Sequence, residues 1–152
     1  MYKILNAEKL SANVFLMDVE APRVAKHCLP GQFVIVKMDE VGERIPLTIC
    51  DYDAEKGTVT IVFQPAGAST TKMAELKAGD FVGPLGQPSE LCSEDLEELK
   101  KKKIVFVAGG VGTAPVYPQV KWLHEHGITA DAIVGAKTKD LLILEDKMKE
   151  VC

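Results

Sequence analysis

The sequence predicts an antiparallel β-barrel over residues 1–90, followed over 103–152 by the opening part of a parallel α/β domain, with a linker at about 91–102. Three observations carry this. Short strand-forming runs broken by Gly and Pro turns fill the first half, and one short helical run comes late in it. After residue 102 two continuous apolar runs flank a glycine-rich turn and a helix, the grammar of a β–α–β unit.

Taken in order, Val14 to Glu20 alternates, with Val14, Leu16 and Asp18 on one side and Phe15, Met17 and Val19 on the other. Pro30-Gly31 is a turn, and Gln32 to Met38 is a strand rich in β-branched residues. Gly42 punctuates, Ile45 to Cys50 is a short apolar run, and Asp51 to Gly57 is expected as a polar loop. Thr58 to Gln64 is a high-propensity strand, broken by Pro65 and Gly67. Ser69 to Leu76 is expected as one short helix capped by Ser69 or Thr70, with Gly79 beyond its end, and Asp80 to Gly83 starts another strand.

Glu94 to Lys102 reads as helical or linker-like, acids first and Lys100 to Lys103 last, which complements a helix dipole. Lys103 to Ala108 is expected as a strand buried on both faces. Gly109-Gly110-Val111-Gly112 turns into a helix from Pro115 to His126, closed by Gly127. Thr129 to Gly135 is a second buried strand, and Leu141 to Val151 opens a further strand or helix. The domain boundary is expected near 87–102. A doubly wound sheet needs roughly five or six strands, so the second half is expected to be a fragment, or to be completed by another segment.

A net charge of -4 favours neither nucleic acid nor an anionic membrane as partner. No apolar run is long enough to span a bilayer and the N-terminus lacks a signal-peptide core, so the expected compartment is the cytoplasm. Cys28, Cys50, Cys92 and Cys152 are scattered without a C-x-x-C pair, and His27, His124 and His126 show no ligand spacing. No metal site is expected, and the cysteines read as free thiols.

Three motifs bear on chemistry. Gly109 to Pro115 follows an apolar strand and opens a helix; its glycines allow close approach of a phosphate, and Pro115 suits a first helical turn. Arg44-Ile45-Pro46-Leu47-Thr48-Ile49 offers a bidentate phosphate clamp and a hydroxyl that can donate to a ring nitrogen; it serves equally as an edge strand with a surface arginine. Gly67-Ala68-Ser69-Thr70-Thr71-Lys72 makes an anion nest or a simple helix cap.

The order of these motifs across a barrel-to-sheet transition resembles the ferredoxin–NADP⁺ reductase superfamily over nearly the whole chain. In detail it is similar to the small flavin subunits of dihydroorotate dehydrogenase electron-transfer proteins and of NADH-dependent ferredoxin:NADP⁺ oxidoreductases. Leu29 to Phe33, Arg44 to Asp51, Gly67 to Asp80, Gly83-Pro84-Leu85-Gly86 and Val107 to Pro118 carry the likeness. It implies FAD on the barrel. Pro46, Leu47 and Thr48 would line the isoalloxazine, with Thr48 near the reactive nitrogen. Val62, Phe63 and Gln64 would flank the ribityl and adenine side. Gly67, Ser69, Thr70 and Thr71, with Arg44, would hold the pyrophosphate. Gly110, Gly112, Thr113 and Pro115 would shape an NAD(P)H site against the flavin, and Gly83 to Gly86 would close the barrel beneath it.

The implied role is an electron-transfer flavoprotein subunit that works between NAD(P)H and an iron–sulfur centre, with a larger iron–sulfur/flavin catalytic subunit and ferredoxin as partners. Two departures qualify it. Family members carry an arginine immediately before the proline, where this chain has Ile45; Arg44 stands one residue earlier, and on a strand one residue reverses the face. Arg44 is therefore expected to need a bulge to reach the pyrophosphate. Second, the family's late cysteine cluster and Cys-Gly-Pro segment are not in these residues, so a 2Fe–2S centre is expected only in a full-length protein and the chain alone is expected to be inactive. A non-catalytic partner-docking module and a free-flavin reductase are the alternative readings. Lys137 and Lys139 fit a ribose phosphate or a solvated loop, and Glu145 fits an adenosine ribose or a plain surface acid.

Overall fold

The computed structural model describes residues 1–39, 41–83 and 95–152. Pro84 to Gly86 of the barrel-closing stretch, Cys92, Glu94 and the first half of the expected boundary at 87–102 lie outside the described residues.

Six antiparallel strands form a nearly closed barrel in the order β3-β4-β5-β2-β1-β6: β1 Tyr2–Ser11, β2 Val14–Glu20, β3 Phe33–Lys37, β4 Arg44–Asp53, β5 Thr58–Phe63 and β6 Phe81–Val82. The alternation of β2 decides which way the barrel faces. Met17 and Val19 fill the interior with Ile4, Val34, Val36, Ile49, Val59, Ile61, Phe63, Met73 and Val82. Val14 and Leu16, on the other side, join a second core beneath the C-terminal half. Asp18, on that same side, accepts from Thr60 Oγ1 at 2.5 Å and from Asn6 Nδ2 at 3.1 Å. Each buried aliphatic side chain contributes about 1.5–3 kcal/mol relative to exposure.

Two elements were not expected. β1 hides in sequence because Ile4 is its only buried residue. Helix α1, Pro22–His27, is six residues long, too short for a 3.6-residue period to show. It begins on a proline, which suits the first turn. β4 also continues through the expected loop to Asp53, pairing Tyr52 with Val59 and Asp53 with Thr58 before Gly57 turns the chain at φ 67°. Helix α2, Ala68–Ala74, is capped at Gly67 and not at Ser69 or Thr70. Thr70 instead reaches back: its Oγ1 accepts from the amides of Ala66 at 2.9 Å and Gly67 at 3.1 Å.

The open seam lies between the two outermost strands, β3 and β6. There Gly83 abuts the backbone of Lys37 so closely that a Cβ would stand 1.7 Å from the Lys37 carbonyl oxygen. Among the described glycines this is the closest approach of a would-be Cβ to backbone.

The second half begins with helix α3, Leu96–Leu99, whose N-cap Asp95 accepts from the Glu97 amide at 2.9 Å. Lys100 at its end pairs with Glu97 at 2.8 Å. β7, Val105–Gly109, and β8, Asp131–Gly135, form a parallel pair with Val107 opposite Ile133. The expectation of strands buried on both faces fails here. Val105, Val107 and Ile133 are 48%, 74% and 60% exposed. Among the described residues only the face toward α4 is covered, because a β–α–β unit places its crossover helix on one side. A 3₁₀ turn at Gly110–Gly112 leads into α4, Thr113–Glu125. Pro115 is therefore its third residue, and Pro118 lies inside it, removing the amide that would bond the Ala114 carbonyl. After a second 3₁₀ turn, Lys139–Leu141, the chain ends in helix α5, Glu145–Val151, and not in a strand. No helix among the described residues is long and apolar enough to cross a membrane.

One apolar cluster joins the halves. Val14, Leu16, Cys50 and Val62 of the barrel pack with Ala114, Tyr117, Val120 and Leu123 of α4 and with Met148 and Val151 of α5.

Candidate functional site

The start of β4 and the start of α2 meet. β4 pairs with β3 without interruption from Lys37↔Arg44 through Ile35↔Pro46 to Phe33↔Thr48. Side chains alternate along that ladder, so Arg44, Pro46 and Thr48 share one face. Ile45, Leu47 and Ile49 share the other, and Ile49 and Leu47 belong to the barrel core. Arg44 thus shares a face with Pro46 and Thr48, and the bulge expected to re-aim it is not at this end of β4; the bulge in β4 falls later, between Ile49 and Asp51. The same alternation turns the Leu47 side chain into the barrel, away from the face it was expected to line.

α2 is tied to this rim by two side-chain links. Ser69 Oγ donates to Glu43 Oε2 at 3.1 Å, and Lys72 Nζ meets Asp39 Oδ2 at 3.2 Å. The Lys72 ammonium holds the Asp39 carboxyl below its ordinary range. Gly67, Ser69, Thr70 and Thr71 therefore gather beside the Glu43-Arg44 end of β4. Among the described residues the Arg44 guanidinium has no ion-pair partner, while its neighbour Glu43 bonds the hydroxyl that an anion would use.

At the end of β5 the expected group separates by face. Phe63 is sealed in the barrel core and Val62 in the cluster shared with α4. Of the three, only Gln64 is partly exposed. Val111 of the glycine turn and Ala114 just after it pack into the cluster that also holds Cys50 and Val62. Gly110 has φ 54°, a left-handed conformation that favours glycine.

Several local features fit a phosphate- and ring-bearing ligand. Ideal Cβ atoms at Gly67, Gly109, Gly110 and Gly112 would meet nothing within 4 Å, so backbone borders open space at each. The first-turn amides of a helix lack intrahelical acceptors. Thr113 Oγ1 is fully buried and has no hydrogen-bond partner among the described residues. No group of His, Cys, Asp or Glu among them is arranged to hold a metal ion. His126 Nδ1 lies 2.7 Å from the Trp122 carbonyl, and Glu145 pairs with Lys149 at 2.8 Å, which makes Glu145 a surface acid occupied within its own helix.

No family model matches the chain. A Clostridium beijerinckii protein described as an uncharacterized protein in the adh 3′ region is 64% identical over 99% of this chain and 52% of its own length. The Thermotoga maritima homolog of the dihydroorotate dehydrogenase B (NAD⁺) electron transfer subunit is 39% identical over 98% of this chain and 52% of its own. The solved NADH-dependent reduced ferredoxin–NADP oxidoreductase, a flavin-based electron-bifurcating protein, superposes with TM-score 0.88 at 36% identity, over 99% of this chain and 54% of that one. The chain spans about half the length of the curated relatives it matches. Its fold is the ferredoxin reductase-type barrel with part of the nucleotide-binding domain, and the resemblance read from the sequence is borne out.

Proposed function

We propose that this chain, a relative of ferredoxin reductase-type electron-transfer subunits, carries FAD on the outer face of β4 as part of an NAD(P)H-linked oxidoreductase. The observation that carries the reading is the meeting of two motifs on one rim: Arg44, Pro46 and Thr48 share a face, and Ser69 is bonded to Glu43 beside them. A bound flavin would supply the two-electron to one-electron conversion that hydride donors and iron–sulfur centres require of an intermediary. The chain's own residues would do the rest. Pro46 gives the ring a rigid apolar floor, and Thr48 Oγ1 donates to a ring nitrogen. Arg44 and the start of α2, with Gly67, Ser69, Thr70 and Thr71, bind the pyrophosphate. Leu47, Val62 and Phe63 contribute backbone only, since their side chains are committed to the two cores. Gly110, Gly112, Thr113 and Pro115 shape the nicotinamide side through the backbone of the glycine turn, since the Thr113 hydroxyl is itself fully buried.

In this reading residues 1–90 are the flavin domain and 103–152 the start of the nicotinamide domain. A full-length protein passes electrons through a 2Fe–2S centre to a larger iron–sulfur/flavin subunit and to ferredoxin. The buried unpaired thiols of Cys28 and Cys50 support a reducing compartment, the cytoplasm. The test is FAD affinity measured by titration on two neighbouring variants. Arg44→Leu should weaken binding by about tenfold, the loss of a charge-assisted contact. Glu43→Gln should tighten it by roughly threefold, since it removes a like charge that competes for Ser69. Equal effects of the two substitutions would overturn the assignment.

A further inference from the structure

Two residues past Thr48, at Cys50, β4 carries an irregularity with a consequence for the neighbouring half. Ile49 pairs with Ile61 and Asp51 with Thr60, so Cys50 is an extra residue in the ladder. Ile49 stays in the barrel core, and Cys50 enters the cluster shared with α4. Asp51 meets both C-terminal helices. Its Oδ1 accepts from Lys121 Nζ of α4 at 2.6 Å and from the Tyr52 amide at 2.9 Å. Its Oδ2 accepts from Lys147 Nζ of α5 at 3.5 Å, and the same ammonium lies 5.4 Å from the centre of the Tyr117 ring. The Asp51 side chain is only 17% exposed. A cleft of about 390 Å³, lined in part by Asp18, Asp53, Lys56 and Thr60, opens beside the pair and leaves the Lys121 side chain partly solvated.

The apolar cluster between the halves is non-directional, and packed aliphatic surfaces admit small sliding motions. Two ammonium groups from different helices converging on one carboxylate do not. Without the carboxylate, two positive charges would be left facing one neutral side chain. We propose that Asp51 is a positioning residue: with Lys121 and Lys147 it clasps α4 and α5 to β4, and so fixes the glycine turn at the head of α4 relative to the face that bears Thr48. The clasp stands on the ion pairs alone; its use in setting flavin geometry rests on the reading above.

Hydrogen–deuterium exchange on the full chain tests the clasp without flavin. Asp51→Asn should speed amide exchange in α4 and α5 by about tenfold while β2 and β5 keep wild-type protection. Lys121→Met should act in the same direction but less, and the double variant should be no looser than Asp51→Asn alone, because the two side chains share one interaction. Lys121→Met keeps the test open should Asp51→Asn fail to fold. Unchanged exchange in α4 and α5, or equal loosening of β2 and β5, overturns the clasp. The second arm is the visible circular dichroism of the FAD-loaded chain. Asp51→Asn should take up FAD as the wild type does but give an altered flavin band; an identical band with loosened helices overturns the positioning role. A wild-type chain that takes up no FAD defeats the flavin reading and leaves the exchange result to decide the clasp.

Discussion

At the scale of single residues, the buried thiols make the fold sensitive to alkali. Burial pushes the Cys50 thiol up to about 12, helped by the nearby Asp51 charge, and pushes the Cys28 thiol up to about 11, from an ordinary 9.0. A raised thiol pKa favours the neutral form in the folded chain. Above pH 9 the unfolded chain sheds these protons first, so it binds fewer protons than the native state and stability falls with rising pH. The contribution is fully present below pH 9 and is lost between pH 9 and about 12, at up to about 1.4 kcal/mol per pH unit for each thiol. Urea unfolding midpoints across that window should decline, and Cys50→Ala should flatten the decline; a slope unchanged by the substitution would contradict it. None of this is readable from cysteine spacing, which gave only unpaired thiols. The arginine was half legible. Its identity and neighbourhood were plain, but its face is set by the uninterrupted pairing of β4 with β3, which the sequence does not show.

Among the elements, β6 has the fewest residues, Phe81 and Val82, yet it ends at the seam of the barrel. Gly83→Ala places a methyl against a carbonyl at 1.7 Å, and backbone on both sides must yield. The cost should be about 3 kcal/mol, a fall in Tm of roughly 10 °C for a chain of this size. An unchanged Tm would mean that the seam is loose. The strands with clean alternation or dense β-branching, β2, β3 and β5, were legible: β2 and β5 send residues to both cores, and β3 turns Val34 and Val36 into the barrel in period two. β1 and α1 were not, since one is a largely exposed strand and the other barely a turn and a half. The continuation of β4 past Cys50 was missed for a different reason. Asp51, Tyr52 and Asp53 look like loop chemistry, and what makes them a strand is a partner in β5 and lysines 70 and 96 positions away.

For the whole molecule, the two halves are joined by an apolar cluster and an ionic clasp, and their meeting place puts the glycine turn near the strand that carries Thr48. The order of the three motifs was visible in the sequence; the link between the β4 rim and α2 was not, because it is made by Glu43 and Asp39, which lie outside the motifs. The uncovered face of β7 and β8 has the same kind of origin. Continuous apolar runs announce a doubly buried sheet, but among the described residues the crossover helix covers one face, and Val107 remains largely exposed. The central claim is that this barrel binds FAD. It is tested most directly by titrating the purified chain with FAD and recording the visible spectrum after free flavin is removed. One flavin retained per chain, with about tenfold weaker binding on Arg44→Leu, is the predicted result. A colourless chain after FAD addition, correctly folded by its circular dichroism, would contradict it.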